Sequence, residues 1–243
     1  RMSIEKESPE ELGYGNILYN LAESSVSDFL LKELDLEVRD LSLCYTDHRG
    51  KPELRRLIIA GHDNLRAHDV LLTVGAASAL FIIASSLLSE EDHLVVVRPN
   101  YATNIETPRA IGCGITYIDL QFEKVWQPNI ATIEKAIQPN TKYISITLPH
   151  NPTGTVFSRE CLEGILKIAS EKNIYVLVDE TYRDICFDTP YPLAASLSDK
   201  VISISSVSKA YGLPGLRIGW VITKDKVLYE LSHSHQWRCG LSF

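Results

Sequence analysis

A lysine and an arginine lie eight residues apart in the stretch "SISSVSKAYGLPGLRIGW", residues 203–220. The stretch begins as one apolar strand and ends as another. Lys209 closely follows the first strand, and an amine in such a partly dry site is able to act as a nucleophile. Arg217 is an isolated charge among apolar residues, which indicates a buried anion as its partner. Each residue alone is also compatible with a solvated side chain, so a binding site at this stretch requires evidence from other parts of the sequence.

Special residues also follow four other apolar runs. Gly75, Ala76 and Ala77 open a helix after the run 70–74, Tyr101 follows 94–97, Asn151 follows 143–147, and Asp179 and Tyr182 follow 174–178. Taken singly, each has a structural explanation, namely tight packing, a loop aromatic, a turn residue, a helix cap or a core tyrosine. Ligands of open α/β sheets bind beyond the carboxyl ends of the strands. We therefore expect these residues to converge on one site.

The converging residue types match the parts of one cofactor. A helix that begins at residues 75–77 offers free N–H groups to an anion such as phosphate, and the ring of Tyr101 offers a flat face. Asp179 follows a run of apolar residues, where a carboxylate is costly without a partner such as a protonated ring nitrogen. The amine of Lys209 suits an aldehyde. Pyridoxal 5'-phosphate (PLP) has a phosphate, a flat ring, a ring nitrogen and an aldehyde.

The strands that position these residues recur along most of the chain. Short β-branched runs occupy residues 70–74, 94–97, 115–118, 143–147, 174–178, 201–205 and 217–222. Helical patterns lie between the early runs, and Ser158 is a candidate N-cap for the pattern that ends at residue 172. This alternation predicts a mostly parallel, mixed sheet with helices on both faces, a three-layer α/β/α fold. Residues 10–34 read as a loop followed by a helix.

Composition excludes several classes of function. The 243 residues carry a net charge of -7, which argues against a nucleic-acid-binding surface. No apolar run approaches the roughly 18 residues that a membrane span needs. The five cysteines are scattered without CxxC spacing, which is typical of reduced thiols in a cytoplasmic protein. No metal site is predicted, because His233 and His235 read as part of a polar helix.

The stretch "SVSKAYGLPGLRIGW", preceded in order by "HNPTG" and "DETY", resembles the signature of the class I/II aminotransferases, which are fold-type I PLP-dependent enzymes. The resemblance implies a PLP-binding large domain over residues 41–225. Residues 1–40 would form an N-terminal arm and part of a small domain, and residues 226–243 would start an interdomain helix. The family has a further C-terminal small domain of ~100 residues. This sequence lacks a counterpart, so we expect a truncated product or a short form that binds cofactor without turnover.

The resemblance also implies roles for the candidate catalytic residues. Lys209 would form the internal aldimine with PLP and would later act as general base at the substrate Cα. Asp179 would pair with the pyridinium nitrogen. Asn151 and Tyr182 would hydrogen-bond the phenolic oxygen of the ring, and Asn151 would also face the substrate.

Other residues would hold the cofactor in place. Tyr101 would stack on the ring, and the phosphate would be held by Ser206, Arg217 and the backbone at Gly75, Ala76 and Ala77. Tyr45 matches a family tyrosine that reaches the phosphate of the neighbouring subunit, which implies a homodimer with sites at the interface. The resemblance makes the Arg98–Pro99 and Asn151–Pro152 bonds candidates for the cis form.

The predicted function is transfer of an amino group between an amino acid and a 2-keto acid. Alternatives of the same fold and cofactor are a C–S lyase, a decarboxylase and an amino-acid cyclase. A cofactor-binding pseudoenzyme and the effector domain of a transcriptional regulator are non-catalytic alternatives. Glu23, in "YNLAESS", predicts a preference for basic substrates, although a solvated side chain or a helix cap explains it equally well.

Overall fold

In the computed structural model, residues 8–34, 37, 42, 44–187 and 191–239 are described, and at their centre lies a mixed sheet of seven strands. The strands are β1 (Val70–Val74), β2 (His93–Arg98), β3 (Gly114–Asp119), β4 (Thr141–Thr147), β5 (Tyr175–Asp179), β6 (Val201–Ser206) and β7 (Ile218–Ile222). Each strand coincides with one of the apolar runs to within two residues. The predicted sheet is therefore confirmed.

The order of the strands brings their functional ends together. The sheet order is β1-β7-β6-β5-β4-β2-β3, and β7 runs in the direction opposite to the other six strands. Val74 pairs with Ile218, and Asp179 pairs with both Thr147 and Ile204. The carboxyl ends of β1, β2, β4, β5 and β6 and the start of β7 consequently lie at the same end of the sheet.

Helices cover both faces of the sheet. The α-helices of the described residues are α1 (Pro9–Leu12), α2 (Pro52–Ile58), α3 (Gly75–Leu87), α4 (Thr103–Ile111), α5 (Ile130–Ala136), α6 (Arg159–Lys172) and α7 (Lys226–Arg238). Leu71 and Val96 pack on one side with α3 and α7, whereas Leu72 and Val95 pack on the other with α5 and α6. This alternation is what a strand buried on both faces requires. The three-layer prediction is confirmed.

Local signals explain where some helices begin. Ser158 accepts a hydrogen bond from the Cys161 N–H and so caps α6, as predicted. Asp225 caps α7 in the same way through the Leu228 N–H. The helices α2 and α4 were not predicted from the sequence. Within the described residues, no helix is both long enough and apolar enough to cross a bilayer.

The predicted helix within residues 10–34 is wrong. Beyond the single turn of α1, residues 13–34 form only two 3-10 turns, Tyr14–Asn16 and Leu31–Glu33. The backbone N–H groups of Val26 and Phe29 instead donate to the carbonyls of Lys209 and Gly212. These long-range bonds replace the intrahelical bonds that the local pattern favours. The predicted domain boundary near residue 40 lies outside the described residues, and the domain division stays a prediction.

Candidate active site

Lys209 lies in the connection between β6 and β7, at the end of the sheet where the strand termini meet. Its Nζ is 3.6 Å from Oε1 of Glu23, and both side chains are about one third exposed. The segment 23–29, here called the strap, runs across this connection. Val26 N donates to Lys209 O at 3.2 Å, and Phe29 N donates to Gly212 O at 3.0 Å. The strap therefore brings a carboxylate directly to the lysine amine.

Tyr182 and Asn151 lie in the wall of a cavity of about 580 Å³. The Tyr182 hydroxyl is 2.8 Å from Oγ of Ser24, the strap residue that follows Glu23. Asn151 precedes a cis proline, and Arg98–Pro99 is also cis, so both predicted cis bonds are confirmed. The Leu148–Pro149 bond is cis as well, which the sequence did not predict. Ser24, Asn151 and Tyr182 share the wall of the cavity.

A cradle for an anion lies where α3 begins. The helix has no side-chain cap at its N-terminus, so the first N–H groups, including those of Ala76 and Ala77, face outward from the helix. A Cβ at Gly75 would lie 2.7 Å from Nη2 of Arg217, and one at Gly219 would lie 2.7 Å from Ala76 N. The two glycines thus let the guanidinium and β7 approach the helix start. Both the guanidinium and the helix dipole favour an anion.

Arg217 departs from its predicted environment in one respect. Its side chain is exposed in the single chain although its sequence neighbours are apolar, and the predicted anion partner stays a prediction. The residue terminates a 3-10 turn, and its guanidinium lies next to Gly75 at the start of α3. An exposed guanidinium over a helix N-terminus still suits a phosphate that enters from solvent.

Asp179 ends β5 and is 3% exposed. Its Oδ1 accepts hydrogen bonds from the Thr181 N–H at 3.1 Å and from the Thr181 hydroxyl at 2.6 Å. Burial raises the pKa of Asp179, and hydrogen bonds from Thr181 and Asn104 act against that rise. The salt bridges of the described residues include none to Asp179. A buried carboxylate without a cation fits a ligand that supplies one.

The remaining predicted residues are Ser206, Tyr101 and Tyr45. Ser206 ends β6 with its side chain buried, and its Oγ accepts from the Ser208 N–H at 3.3 Å. Tyr101 is 42% exposed in the loop after β2. Tyr45 is 90% exposed, and its role toward a neighbouring subunit stays a prediction.

The donor set fits PLP. The cradle at α3 suits its phosphate, the cation-free Asp179 suits a protonated ring nitrogen, and the amine of Lys209 suits its aldehyde. In addition, Oγ of Ser78, in the first turn of α3, is buried without a hydrogen-bond partner among the described residues. An unpaired buried hydroxyl beside an anion cradle is consistent with a ligand that completes its bonding.

Comparison with known proteins decides the family. The family model described as aminotransferase class I and II matches residues 10–235. The chain belongs to this family. It is 30% identical over 205 residues to the aspartate aminotransferase of Thermotoga maritima, an alignment that covers 80% of this chain and 54% of that protein. It is also 28% identical to the arginine–pyruvate transaminase of Pseudomonas aeruginosa, over 73% of this chain and 47% of that protein.

Solved structures of aminotransferases share the fold. The chain superposes on a PLP-dependent aminotransferase from Streptococcus suis with a TM-score of 0.86 and 29% identity, covering 94% of this chain and 64% of that one. The predicted family and fold are confirmed by these matches. The chain spans about half the length of the curated relatives named above.

In this class I and II aminotransferase chain, four residues that the sequence analysis did not single out form hydrogen bonds at this end of the sheet, namely Asn100, Asn104, Thr147 and His150. Oδ1 of Asn100 accepts from the Thr147 hydroxyl at 2.8 Å and from Nδ2 of Asn104 at 3.1 Å. His150 hydrogen-bonds the carbonyl of Pro99. Asn100 and His150 stand in the stretches "RPNY" and "LPHNPTG", where a polar residue beside proline reads as part of a turn.

Proposed function

We propose that this chain binds PLP through Lys209, and that the whole protein moves an amino group between an amino acid and a 2-keto acid. The observation that carries the proposal is the meeting of three groups at one end of the sheet. These are the amine of Lys209, the buried and cation-free carboxylate of Asp179, and the cradle formed by Arg217 and α3. Family membership supports it independently.

Each residue of the site has a defined task. The N–H groups of Ala76 and Ala77, with Ser206 and Arg217, hold the phosphate. Asp179 keeps the ring nitrogen protonated, because a buried carboxylate is stabilised by a cation next to it. Tyr101 stacks on the ring, while Asn151 and Tyr182 hydrogen-bond its phenolic oxygen. When bound, PLP supplies an electron sink that makes the Cα proton of an amino acid acidic.

Lys209 is the attachment point of the cofactor and the base that takes the Cα proton. A lysine suits both tasks, since its neutral amine is a nucleophile and its long side chain moves the amine over a short path. The strap fixes the backbone of this residue through the Val26 N–H. The side chain therefore moves about a fixed backbone position, which reduces the conformational entropy lost when the amine is brought to the proton.

Glu23 sets the charge of the substrate site in this proposal. Its carboxylate faces Lys209 and also accepts a hydrogen bond from the Tyr14 hydroxyl at 3.3 Å. With the lysine amine directed toward the cofactor, Glu23 would be available to a second cation. A donor with a cationic side chain restores the pair, whereas an acidic side chain is repelled. Among the relatives, the name of the arginine–pyruvate transaminase indicates a cationic substrate.

The proposed protein is cytoplasmic and forms a homodimer in which Tyr45 reaches the phosphate of the neighbouring subunit. The 90% exposure of Tyr45 supports this arrangement, because a side chain that contacts a second subunit is exposed in the single chain. Lyase, decarboxylase and cyclase activities remain alternatives to transfer, because the choice among them depends on how the substrate is oriented over the ring.

An absorbance spectrum of the purified chain with PLP tests the proposal. We expect a visible band of lysine-bound cofactor that disappears in Lys209→Ala and that bleaches when an amino donor is added. Lys200→Ala is the matched control, because Lys200 immediately precedes β6 whereas Lys209 follows it. A folded chain without the band would refute cofactor binding. A band that no donor bleaches would refute transfer by this chain, and pyruvate release without a keto-acid acceptor would favour a lyase.

A further inference from the structure

Two loops hold the cofactor ring in the proposed function, and one buried histidine joins them. The first, here called the Tyr101 loop, comprises residues 99–102 after β2. The second, the Asn151 loop, comprises residues 148–156 after β4. His150 belongs to the second loop and is 1% exposed. Its Nε2 lies 2.9 Å from the carbonyl oxygen of Pro99 in the first loop.

The partners of His150 fix its tautomer. A carbonyl oxygen only accepts, so Nε2 carries the proton and donates to Pro99. Nδ1 is therefore the acceptor, and it takes a hydrogen bond from the Thr153 hydroxyl at 2.8 Å. Burial lowers the pKa of His150, although the bond to Pro99 opposes this shift, which agrees with a neutral ring. The ring also stacks on Phe157, with 5.9 Å between ring centroids.

His150 also anchors its own loop. Its N–H donates to Thr155 O at 2.8 Å, and its carbonyl accepts from the Gly154 N–H at 2.7 Å. The backbone thus closes the Asn151 loop on itself, and the imidazole reaches across to the other loop. Thr147, at the end of β4, makes a separate link to Asn100 at 2.8 Å. That second link fixes the base of the Tyr101 loop but does not involve the Asn151 loop.

We propose that His150 is a positioning residue that sets the distance between the face of Tyr101 and the amide of Asn151. The inference rests on the proposed function, in which these two side chains contact the same ring. His150 immediately precedes Asn151, and its partner Pro99 lies two residues before Tyr101. A shift of one loop relative to the other would change the stacking and the hydrogen bond together. Sites of this kind tolerate displacements of only about 0.5 Å.

Replacement of His150 separates this role from simple core stability. His150→Leu removes both ring hydrogen bonds, whereas His150→Gln keeps a side-chain N–H that donates to Pro99 O. His93→Leu is the matched control. His93 is also buried, at 2% exposure, and its ring nitrogens bond the hydroxyls of Thr141 and Thr116 at 2.8 and 2.9 Å. It stands at the start of β2, the end of the sheet away from the site.

Two measurements give the outcome. For the full chain with PLP, we expect His150→Leu to raise the dissociation constant about fivefold or more and to change the circular dichroism of the bound cofactor. His150→Gln should restore most of both, and His93→Leu should change neither. In the cofactor-free chain, amide hydrogen exchange of residues 100–104 should accelerate in His150→Leu and not in His150→Gln or His93→Leu.

The second measurement keeps the inference testable if the first has no signal. A wild-type chain that binds no PLP would refute the proposed function, and the exchange data would still decide whether His150 couples the loops. If His150→Leu fails to fold, two variants of Thr153 replace it. Thr153→Val removes the hydroxyl that bonds Nδ1 of His150, whereas Thr153→Ser keeps it. The inference would be overturned if amide exchange of residues 100–104 in His150→Leu equalled that of wild type. It would also be overturned if His93→Leu changed exchange and cofactor binding as much as His150→Leu does.

Discussion

The carboxylate of Glu23 lies 3.6 Å from the amine of Lys209, although the two residues stand near opposite ends of the chain. The strap that carries Glu23 also bonds the backbone at Lys209 and Gly212 and the hydroxyl of Tyr182. The strands thus position the groups proposed to hold the cofactor, and the strap adds a charged group beside the lysine amine. Substrate preference is expected to depend on the strap.

Removal of the negative charge of Glu23 should reduce the preference for amino donors with a cationic side chain. In Glu23→Gln, we expect the ratio of kcat/KM for lysine to that for norleucine to fall about tenfold, because these donors have side chains of similar length and differ in charge. The rate at which the cofactor band bleaches, followed by stopped-flow absorbance, gives this ratio when it is measured with each donor. Glu11→Gln is the control, since Glu11 is an exposed carboxylate on α1. An unchanged ratio would contradict the proposed role of Glu23.

A methyl group at Gly75 should disturb the anion cradle. Gly75 has φ +80°, and its Cβ would lie 2.7 Å from Nη2 of Arg217, so Gly75→Ala displaces the guanidinium. Gly61→Ala is the matched control, because Gly61 has φ +83° with no atom within 4 Å of its Cβ. Both variants should lose about 1 kcal/mol of unfolding free energy through the positive φ. Only Gly75→Ala should weaken PLP binding, as a fluorescence titration would measure; equal affinities would contradict the cradle.

Arg217 should contribute to the affinity for the phosphate of PLP and not to the affinity for its ring. In Arg217→Lys, we expect the dissociation constant of PLP to rise about tenfold, because a lysine replaces the planar fork of donors with a point charge. Pyridoxal, which lacks the phosphate, should bind wild type and variant equally. Arg159→Lys on the surface of α6 provides the control. A parallel loss of pyridoxal affinity would mean that Arg217 acts on the fold of the site.

Glu180 should make the stability of the chain depend on pH. Burial raises the pKa of Glu180 from 4.5 to about 7, although its Oε1 accepts a hydrogen bond from the Ala194 N–H at 3.0 Å. The folded state therefore binds the proton more tightly than the unfolded state. The unfolding free energy should consequently fall as the pH rises from about 4.5 to about 7.

Glu180→Gln should remove this pH dependence. The glutamine Oε1 still accepts from Ala194, and its uncharged amide avoids the cost of a buried carboxylate. Urea unfolding should find the variant roughly 3 kcal/mol more stable than wild type at pH 8, with little difference near pH 4. Glu163→Gln, in an exposed pair with Arg159, should leave the pH dependence unchanged. If the unfolding free energies of Glu180→Gln and wild type depended on pH in the same way, the raised pKa of Glu180 would be contradicted.

Most of the sheet and the groups at its end were predictable because each strand is a continuous apolar run and the carboxyl ends of such strands meet. Asp179 stood out because a carboxylate after apolar residues needs a special partner. The strap was not predictable, since residues 10–34 read as a loop followed by a helix, whereas Val26 and Phe29 have their backbone partners in the Lys209 connection. His150 was missed for a similar reason, because its contact with Pro99 depends on how two loops pack.

The reversed direction of β7 has a consequence for how this site tolerates change. Because β7 is antiparallel to β6, the chain returns to the same end of the sheet through residues 207–217 alone, without a crossover helix. Lys209 and Arg217 are both carried by this one short connection. An inserted or deleted residue would shift the amine and the guanidinium together relative to the fixed start of α3. The length of this connection is therefore constrained, and so is Gly212 within it, because a Cβ there would clash with the carbonyl oxygen of Ser27.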